Sequence, residues 1–232
     1  MKITNFIKIS FFVVLALPIF GCGKSQIEKC DKITVAGIEL VRIPDSAEHS
    51  GFYMGKYEVT QKQWQEIMGC NPSLFKGDLS RPVENVSWND CQEFIKKLNS
   101  SSDVKRLGIE FFLPTQEEWE YACSAGGTGQ VGLLADGREG TINEMGWCKN
   151  NSGDQTHPVG QKLPNMWGLY DMHGNVYEWT ASFHNEEGRF LRGGSCYSDA
   201  SFCETGDWFW LNSDSKSDCL GLRLACRLRP VK

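Results

Sequence analysis

The alternation of hydrophobic and polar side chains along the chain predicts several short strands. Residues 33–43 alternate loosely, and residues 51–55 form an apolar run between two glycines; both patterns are typical of strands. Residues 111–113 form another apolar run, which Pro114 ends, and residues 176–179 form one more. We therefore expect a sheet built from short strands.

Helices are predicted where an N-cap residue precedes apolar side chains at helical spacing. Thr60 with Gln63 and Thr115 with Glu118 form capping boxes, in which each side chain bonds the backbone N–H of the other residue. The predicted helices are residues 61–68 after Thr60, residues 88–98 after the N-cap Ser87, and residues 116–125 after Thr115.

From residue 126 to residue 164 the apolar periodicity is lost. This stretch is rich in Gly, Asn and Asp. So long an irregular run inside a compact domain is normally functional, or is fixed by something other than a strand ladder, such as a metal. No internal repeat, low-complexity tract or later linker interrupts the chain. We therefore interpret residues 32–232 as one domain.

The last part of the chain holds an irregular segment between two regular ends. Residues 190–195 and 221–227 are short apolar runs beside Gly and Arg, as expected of strands bounded by turns. Between them, residues 196–219 lack strand or helix periodicity and mix small polar residues with five aromatic ones. Aromatic side chains supply contact area at low entropic cost, and small polar ones adapt their hydrogen bonds. We name residues 195–220 the binding segment and predict that it contacts a ligand.

The predicted ligand contacts are the aromatic, polar and cysteine side chains of the binding segment. The alternative is a fixed loop whose aromatic side chains pack into the core, and the exposure of those side chains separates the two interpretations. The predicted contact residues are Cys196, Tyr197, Ser198, Asp199, Phe202, Thr205, Asp207, Trp208, Phe209, Trp210, Asn212, Asp214, Asp218 and Cys219.

The N-terminus has the pattern of a secretion signal. Two lysines precede an apolar run at residues 11–17, which is too short to span a membrane comfortably. The sequence around Cys22 resembles the bacterial lipobox, which implies a signal peptide at residues 1–21, lipidation of Cys22 and a tether at residues 22–31. The alternative is an ordinary signal peptide with an incidental cysteine. We expect an exported protein, anchored to the membrane through Cys22 and displayed at the outer surface of the bacterial envelope.

Composition and charge exclude several classes of function. The 232 residues carry a formal net charge of −5 and no basic patch, so nucleic acid is not an expected partner. A hydrophobic content of 41% predicts a packed core. The histidines, His49, His157, His173 and His184, lack metal-binding spacing, and no serine elbow, phosphate loop or dinucleotide motif occurs.

The cysteines indicate buried apolar positions rather than a metal site. The chain has ten cysteines, and nine are left once Cys22 is set aside. Because nine is odd, at least one cysteine stays unpaired if all disulfides are internal. No CxxC pair or zinc spacing occurs. Cys91 and Cys123 lie within predicted helices, and for most of the cysteines we expect the role of a small buried side chain.

Six stretches of the chain carry the motifs of one protein family in its usual order: residues 57–60, 82–88, 113–122, 168–179, 192–195 and 221–225. They resemble the formylglycine-generating-enzyme, or sulfatase-modifying-factor, family over residues 33–228. The resemblance implies an α+β fold of the C-type lectin kind, with a mixed sheet, two or three helices and much irregular loop. It also implies that N-terminal and C-terminal strands pair with each other.

An enzyme of this family is the alternative to a binding protein. By resemblance, its oxidases convert a substrate cysteine to formylglycine with two copper-binding cysteines. The matching positions here are Ser198, six residues after Arg192, and Cys203. Cu(I) needs soft thiolate ligands, which a serine hydroxyl replaces poorly. We therefore predict no enzymatic activity and assign no catalytic residue.

The binding segment adds a second resemblance. A lipoprotein of this fold with an unusual segment before Gly-Leu-Arg-Leu-Ala-Cys-Arg is similar to the variable proteins of diversity-generating retroelements. That resemblance implies a hypervariable segment at residues 195–220 on a rigid scaffold. The partner it implies is an unknown protein or other ligand on a host or bacterial surface.

Calcium is the cofactor that the family resemblance implies. Glu178, with the backbone carbonyls of Gly174 and Val176, matches a calcium site of the family, and hard oxygen ligands in a glycine turn suit Ca²⁺. The alternative is that Glu178 only accepts backbone hydrogen bonds.

Overall fold

The computed structural model describes residue 27, residues 30–48 and residues 50–229. The predicted signal peptide, Cys22 and most of the tether therefore lie outside the described residues, as does His49. Among the residues that are described, no helix has the length and apolar character needed to cross a bilayer.

The described chain folds into nine strands, six α-helices and one 3₁₀ turn. The strands are β1 Lys32–Val35, β2 Ile38–Ile43, β3 Phe52–Gly55, β4 Ile109–Phe112, β5 Tyr177–Phe183, β6 Gly188–Arg192, β7 Trp208–Asn212, β8 Leu220–Gly221 and β9 Ala225–Leu228. The helices are α1 Gln61–Met68, α2 Trp88–Ser100, α3 Ser102–Leu107, α4 Gln116–Ser124, α5 Ile142–Met145 and α6 Lys149–Ser152, and the 3₁₀ turn is Ala200–Cys203.

The capping residues begin the helices where the sequence predicts. Thr60 Oγ1 accepts from the backbone N–H of Gln63 at 3.2 Å, and Gln63 Oε1 accepts from the N–H of Thr60 at 3.0 Å. Ser87 and Thr115 make the corresponding bonds at the starts of α2 and α4. Helix α3 was not predicted; it starts at its own N-cap, Ser101, directly after α2.

The predicted strand at residues 33–43 is a hairpin rather than a single strand. Ala36 and Gly37 both have positive φ angles, 50° and 74°, and form the two-residue turn between β1 and β2. Alternation continues through this turn, so the hydrophobic pattern alone does not reveal it. The position before Gly37 is an alanine, which rarely adopts positive φ and gives no turn signal.

Two sheets organise the domain. The larger has the order β1-β2-β3-β9-β4, so the C-terminal strand β9 lies between β3 and β4. This arrangement confirms that N-terminal and C-terminal strands pair. The smaller sheet has the order β7-β6-β5-β8, with β5 and β8 parallel and the other pairs antiparallel.

Large aromatic side chains hold the core together. Trp64 of α1 stacks on Phe94 of α2 with ring centroids 4.9 Å apart, and both rings are buried. Trp179 of β5 is buried and donates through Nε1 to the backbone oxygen of Val86 at 3.0 Å. Cys91 and Cys123 are also buried without a disulfide, as expected of small core side chains.

Residues 126–164 remain mostly irregular, as predicted. Two four-residue helices, α5 and α6, and an isolated bridge between Leu133 and Glu139 are their only regular parts. Within the described part of the chain, no group of three or more His, Cys, Asp or Glu side chains is placed to hold a metal ion. Capping side chains and turns fix this stretch instead: Thr141 and Glu144, for example, form a capping box.

Candidate binding surface

Part of the binding segment is a strand, which corrects the prediction that it has no regular structure. Residues Trp208–Asn212 form β7 and pair with β6 in antiparallel register, with Trp210 opposite Phe190 and Phe209 opposite Leu191. The segment shows no alternation because both faces of β7 carry apolar side chains. A strand at the end of a sheet can do so when both of its faces remain partly exposed.

The aromatic residues of β7 are exposed, contrary to the alternative in which they pack into the core. Trp208, Phe209 and Trp210 are 48%, 49% and 38% exposed. Trp208 and Trp210 lie on one face of this edge strand and Phe209 on the other, and soluble proteins seldom leave such large apolar side chains exposed together without a function. We call Trp208, Phe209 and Trp210, together with His184 and Phe190, the aromatic edge.

Neighbouring rings hold the aromatic edge in position. Trp210 stacks on His184 with centroids 4.5 Å apart, and Trp208 meets Phe190 edge-to-face at 5.2 Å. On the other face of β7, Phe209 lies 6.1 Å from the ring of Tyr177. Sequence analysis missed His184, Phe190 and Tyr177, because only the pairing of β5, β6 and β7 brings them beside the binding segment.

Three predicted contact residues are buried and do not reach the surface. Cys196, Ser198 and Thr205 are each less than a tenth exposed. Ser198 Oγ accepts from the N–H of Ser195 at 3.0 Å, and Thr205 Oγ1 lies 3.6 Å from Cys123 Sγ. Their side chains stabilise the inside of the segment and are not available at its surface, and their contact with a ligand stays a prediction.

The other predicted contact residues are at least partly exposed. Tyr197 donates through its hydroxyl to Asp218 Oδ2 at 2.8 Å, and burial raises the pKa of this tyrosine. Asp199 lies 3.7 Å from Lys149 Nζ in an exposed ion pair. Phe202 projects from the 3₁₀ turn. The remaining ones are Asn212 and Asp214, which are exposed, and Asp207 and Cys219, which are half-buried.

A tight glycine turn sets where the binding segment starts. Gly193 and Gly194 have φ angles of 90° and 73°, which favour glycine over other residues. A Cβ on Gly194 would lie 2.5 Å from Cys203 Sγ and 2.7 Å from the backbone oxygen of Phe202. The 3₁₀ turn therefore packs directly on the backbone of Gly194, with no room for a side chain.

The residues at the family's copper position do not fit Cu(I). The Ser198 hydroxyl lies 3.1 Å from Ser195 Oγ and 3.3 Å from the hydroxyl of Tyr177, within a hydrogen-bonded network. Burial raises the pKa of the Cys203 thiol to about 12, which favours the thiol over the thiolate that Cu(I) needs. We therefore derive no oxidase step from these two positions.

The residues predicted to bind calcium do not fit that ion either. Both carboxylate oxygens of Glu178 accept from the Arg223 guanidinium, and Oε2 also accepts from Trp119 Nε1 at 2.6 Å. A buried cation thus already neutralises Glu178. The alternative, in which only backbone groups bond Glu178, is also wrong.

The two sheets, the long irregular stretch and the buried Glu178–Arg223 pair together define an α+β domain of the C-type lectin kind seen in formylglycine-generating enzymes. The chain belongs to the family of the sulfatase-modifying factor enzyme 1-like domain, whose model matches residues 25–228.

One similar protein is named as a chaperone and another as an inactive enzyme. The chaperone protein LppX of Paenibacillus barcinonensis is 34% identical over 234 residues, covering 79% of this chain and 80% of that protein. The inactive C-alpha-formylglycine-generating enzyme 2 of Mus musculus is 32% identical over 184 residues, covering 70% of this chain. This chain spans about half, 54%, of the length of the mouse protein. Proteins named formylglycine-generating enzyme without that qualifier also match.

Among solved structures, variable protein 1 of Treponema denticola is similar with a TM-score of 0.68 and 28% identity, covering 84% of this chain and 98% of that chain. The fold thus extends over nearly the whole of that protein.

Proposed function

We propose that this chain is a non-catalytic binding protein that recognises a partner protein through the aromatic edge. The observation that carries the proposal is the exposure of Trp208, Phe209 and Trp210 side by side on β7. Similarity to a solved protein named variable protein 1 supports it. So does the serine at position 198, where the enzyme family's oxidases hold a cysteine.

The geometry of the aromatic edge favours binding energetically. Trp and Tyr side chains dominate binding hot spots because each buries a large apolar area at the centre of an interface. Stacking of Trp210 on His184, and of Trp208 against Phe190, orders these rings before a partner arrives. Ordering the rings in advance lowers the entropic cost of binding.

A matched pair of substitutions tests the proposal. Trp208→Ala and Trp210→Ala should each weaken the partner's binding by about thirtyfold or more, since hot-spot aromatic residues contribute ~2 kcal/mol or more. Leu163→Ala is the control, because Leu163 is similarly exposed but lies outside the aromatic edge. Partners captured by the full chain from host-surface and bacterial-surface extracts would be measured for all three variants. Equal capture by all of them would disprove a role for the aromatic edge.

A chaperone is a second candidate, favoured by the 34% identity to the chaperone protein LppX. Exposed apolar surface is also what a chaperone uses to hold an unfolded chain. Reduced, carboxymethylated α-lactalbumin, a permanently unfolded protein, distinguishes the two candidates. A chaperone should bind unfolded chains of unrelated sequence, this one included, and lose that binding in Trp208→Ala, whereas a binder specific for one partner should ignore it.

The oxidase alternative has its own test. Cu(I) titration and a cysteine-peptide oxidation assay should both give no signal for the wild-type chain, because position 198 offers no thiolate. Formation of formylglycine by the wild-type chain would contradict the proposed function.

We also propose where the aromatic edge is displayed and how its sequence changes. Lipidation of Cys22 would anchor the domain in the bacterial envelope, and variation confined to residues 195–220 would change its ligand. Metabolic labelling with a fatty-acid probe should mark the wild-type chain and not Cys22→Ser. Sequencing the same locus in sibling isolates should find residues 195–220 far more variable than residues 113–122, and equal invariance would refute diversification.

A further inference from the structure

Among the described residues, no strand pairs with the outer edge of β7, beside its exposed rings. We infer that β7 is a docking strand: an extended polypeptide segment adds to its outer edge and becomes the fifth strand of the smaller sheet. The inference rests on the proposed function, and it specifies the conformation of the partner and the atoms that hold it.

The register of β6 and β7 determines which backbone groups face outward. Ser213 N–H donates to Glu187 O at 3.0 Å, one step beyond the pair Asn212–Gly188. Hydrogen-bonded pairs recur at every second residue of an antiparallel ladder. The backbone groups of Phe209 and Leu211 therefore bond β6, whereas those of Trp208 and Trp210 do not.

The opposite side of β6 agrees with this register. His184 N–H donates to Gly188 O at 3.0 Å, so the even-numbered residues of β6 direct their backbone towards β5. The odd-numbered residues of β6 are left to bond Phe209 and Leu211. It follows that Trp208 and Trp210 direct their N–H and C=O groups away from the sheet.

Nothing within the described residues pairs with that outer side of β7, which stands last in its sheet. An open, mainly apolar groove of about 400 Å³ runs along it, lined by Phe209, Trp210, Leu211, Asn212 and Ser215. The strand ends at Asn212, whose backbone oxygen accepts from Ser215 N–H at 3.0 Å. The outward groups of Trp208 and Trp210 thus form a short, defined template for an added strand.

The side chains around this template specify the occupant. Alternate apolar residues of an added strand would contact Trp208 and Trp210 on one face and Phe209 on the other. Acidic residues, Asp207 and Asp214, lie at the two ends of β7. The nearby Lys216 is already paired with Asp90 at 2.6 Å. The occupant is therefore an extended segment with alternating apolar side chains and basic residues at its ends.

Paired variants at one position separate backbone from side-chain binding. Trp210→Ala removes the ring and keeps the outward N–H, whereas Trp210→Pro removes both and leaves the bonds to β6 intact. The probe is a fluorescent peptide that alternates valine and threonine between terminal lysines. We expect Trp210→Pro to bind it about fivefold to tenfold more weakly than Trp210→Ala, the effect of losing one backbone hydrogen bond. Equal affinities of the two folded variants would overturn strand addition.

A peptide series tests the wild-type chain without any substitution. N-methylation of alternate amides blocks one edge of the probe, and methylation of the remaining amides blocks the other. Loss of binding for only one of the two peptides supports strand addition, and equal binding of both overturns it. A dimer that Trp210→Pro dissociates in analytical ultracentrifugation would overturn the proposed occupant, because a second copy of the chain would then occupy the edge of β7.

Different results would reject strand addition and the proposed function. If alanine at positions 208 and 210 abolishes partner binding while both methylated peptides bind equally, the aromatic edge binds through side chains alone. The proposed function then stands and strand addition is rejected. If the alanine variants bind every partner normally, the proposed function fails first.

Discussion

Arg223 and Glu178 form a buried bidentate ion pair between the two sheets. Arg223 Nε lies 3.0 Å from Glu178 Oε1, and Nη2 lies 2.8 Å from the same oxygen. The guanidinium also donates to the backbone oxygens of Gly55 and Tyr170, so it bonds three separate parts of the chain. The pair joins β5 of the smaller sheet to the end of β3 in the larger one.

Removing one partner of this pair should destabilise the domain strongly. Arg223→Met leaves Glu178 buried without a cation, which typically costs about 3–5 kcal/mol. Replacing both residues, by Arg223→Met with Glu178→Gln, should cost less than Arg223→Met alone because position 178 then carries no buried charge. Urea unfolding of the wild type and the two variants measures these costs. A double variant less stable than Arg223→Met would contradict this account.

Calcium should not stabilise the domain through Glu178. Arg223 already neutralises this carboxylate, and both of its oxygens accept hydrogen bonds. Excess Ca²⁺ and excess EDTA should therefore give the same Tm in thermal unfolding. A Ca²⁺-dependent rise in Tm that Glu178→Gln abolishes would restore the calcium site predicted from the sequence.

The glycine turn before the binding segment should not tolerate a side chain. Gly194→Ala places a Cβ against Cys203 Sγ at a positive φ, and we expect a loss of about 1–3 kcal/mol. Gly206→Ala is the matched control, since nothing lies within 4 Å of a Cβ there. The free energy of unfolding distinguishes the two, and a similar loss for both would show that packing on Gly194 is unimportant.

Buried His173 should make the domain less stable as the pH falls. Burial lowers the pKa of His173 to about 4, from the ordinary value of 6.5. Between these values the unfolded chain binds a proton that the folded chain does not, so stability is lost as the pH falls from about 6.5 to about 4. The full loss is on the order of 3 kcal/mol.

His173→Gln tests this dependence directly. Glutamine can still bond Gly132 N–H and Cys203 O, the groups that His173 contacts, but it does not titrate. The stability of this variant should fall less than that of the wild type between pH 6.5 and pH 4. Parallel curves for the two proteins in urea unfolding would show that His173 is not the titrating group.

Local signals account for the features that the sequence predicted well. The Thr60–Gln63 and Thr115–Glu118 capping boxes act within four residues, so their residue types suffice to place the helix starts. The fold type and the pairing of β9 came from motifs that resemble a family, not from periodicity. The exposed residues of the binding segment were predicted from composition alone.

The features that sequence analysis missed depend on distant contacts. Arg223 lies 45 residues from Glu178, so the buried ion pair between them could not be read from the local sequence. Residues 208–212 form strand β7 because they pair with β6, although their sequence has no strand periodicity. The same pairing stacks the ring of His184 on that of Trp210. Burial of Ser198 could not be predicted either, because serine is mostly exposed in proteins and its burial here depends on bonds to Ser195 and Tyr177.

Strand β9 has a consequence for how the domain is made. It lies between β3 and β4, and it is the last strand along the chain. Until residues 225–228 have left the ribosome, β3 and β4 lack their shared neighbour, and the larger sheet cannot close. Residues 225–228 must therefore be synthesised before the larger sheet can form, and a protease that removed them would open the sheet from the middle.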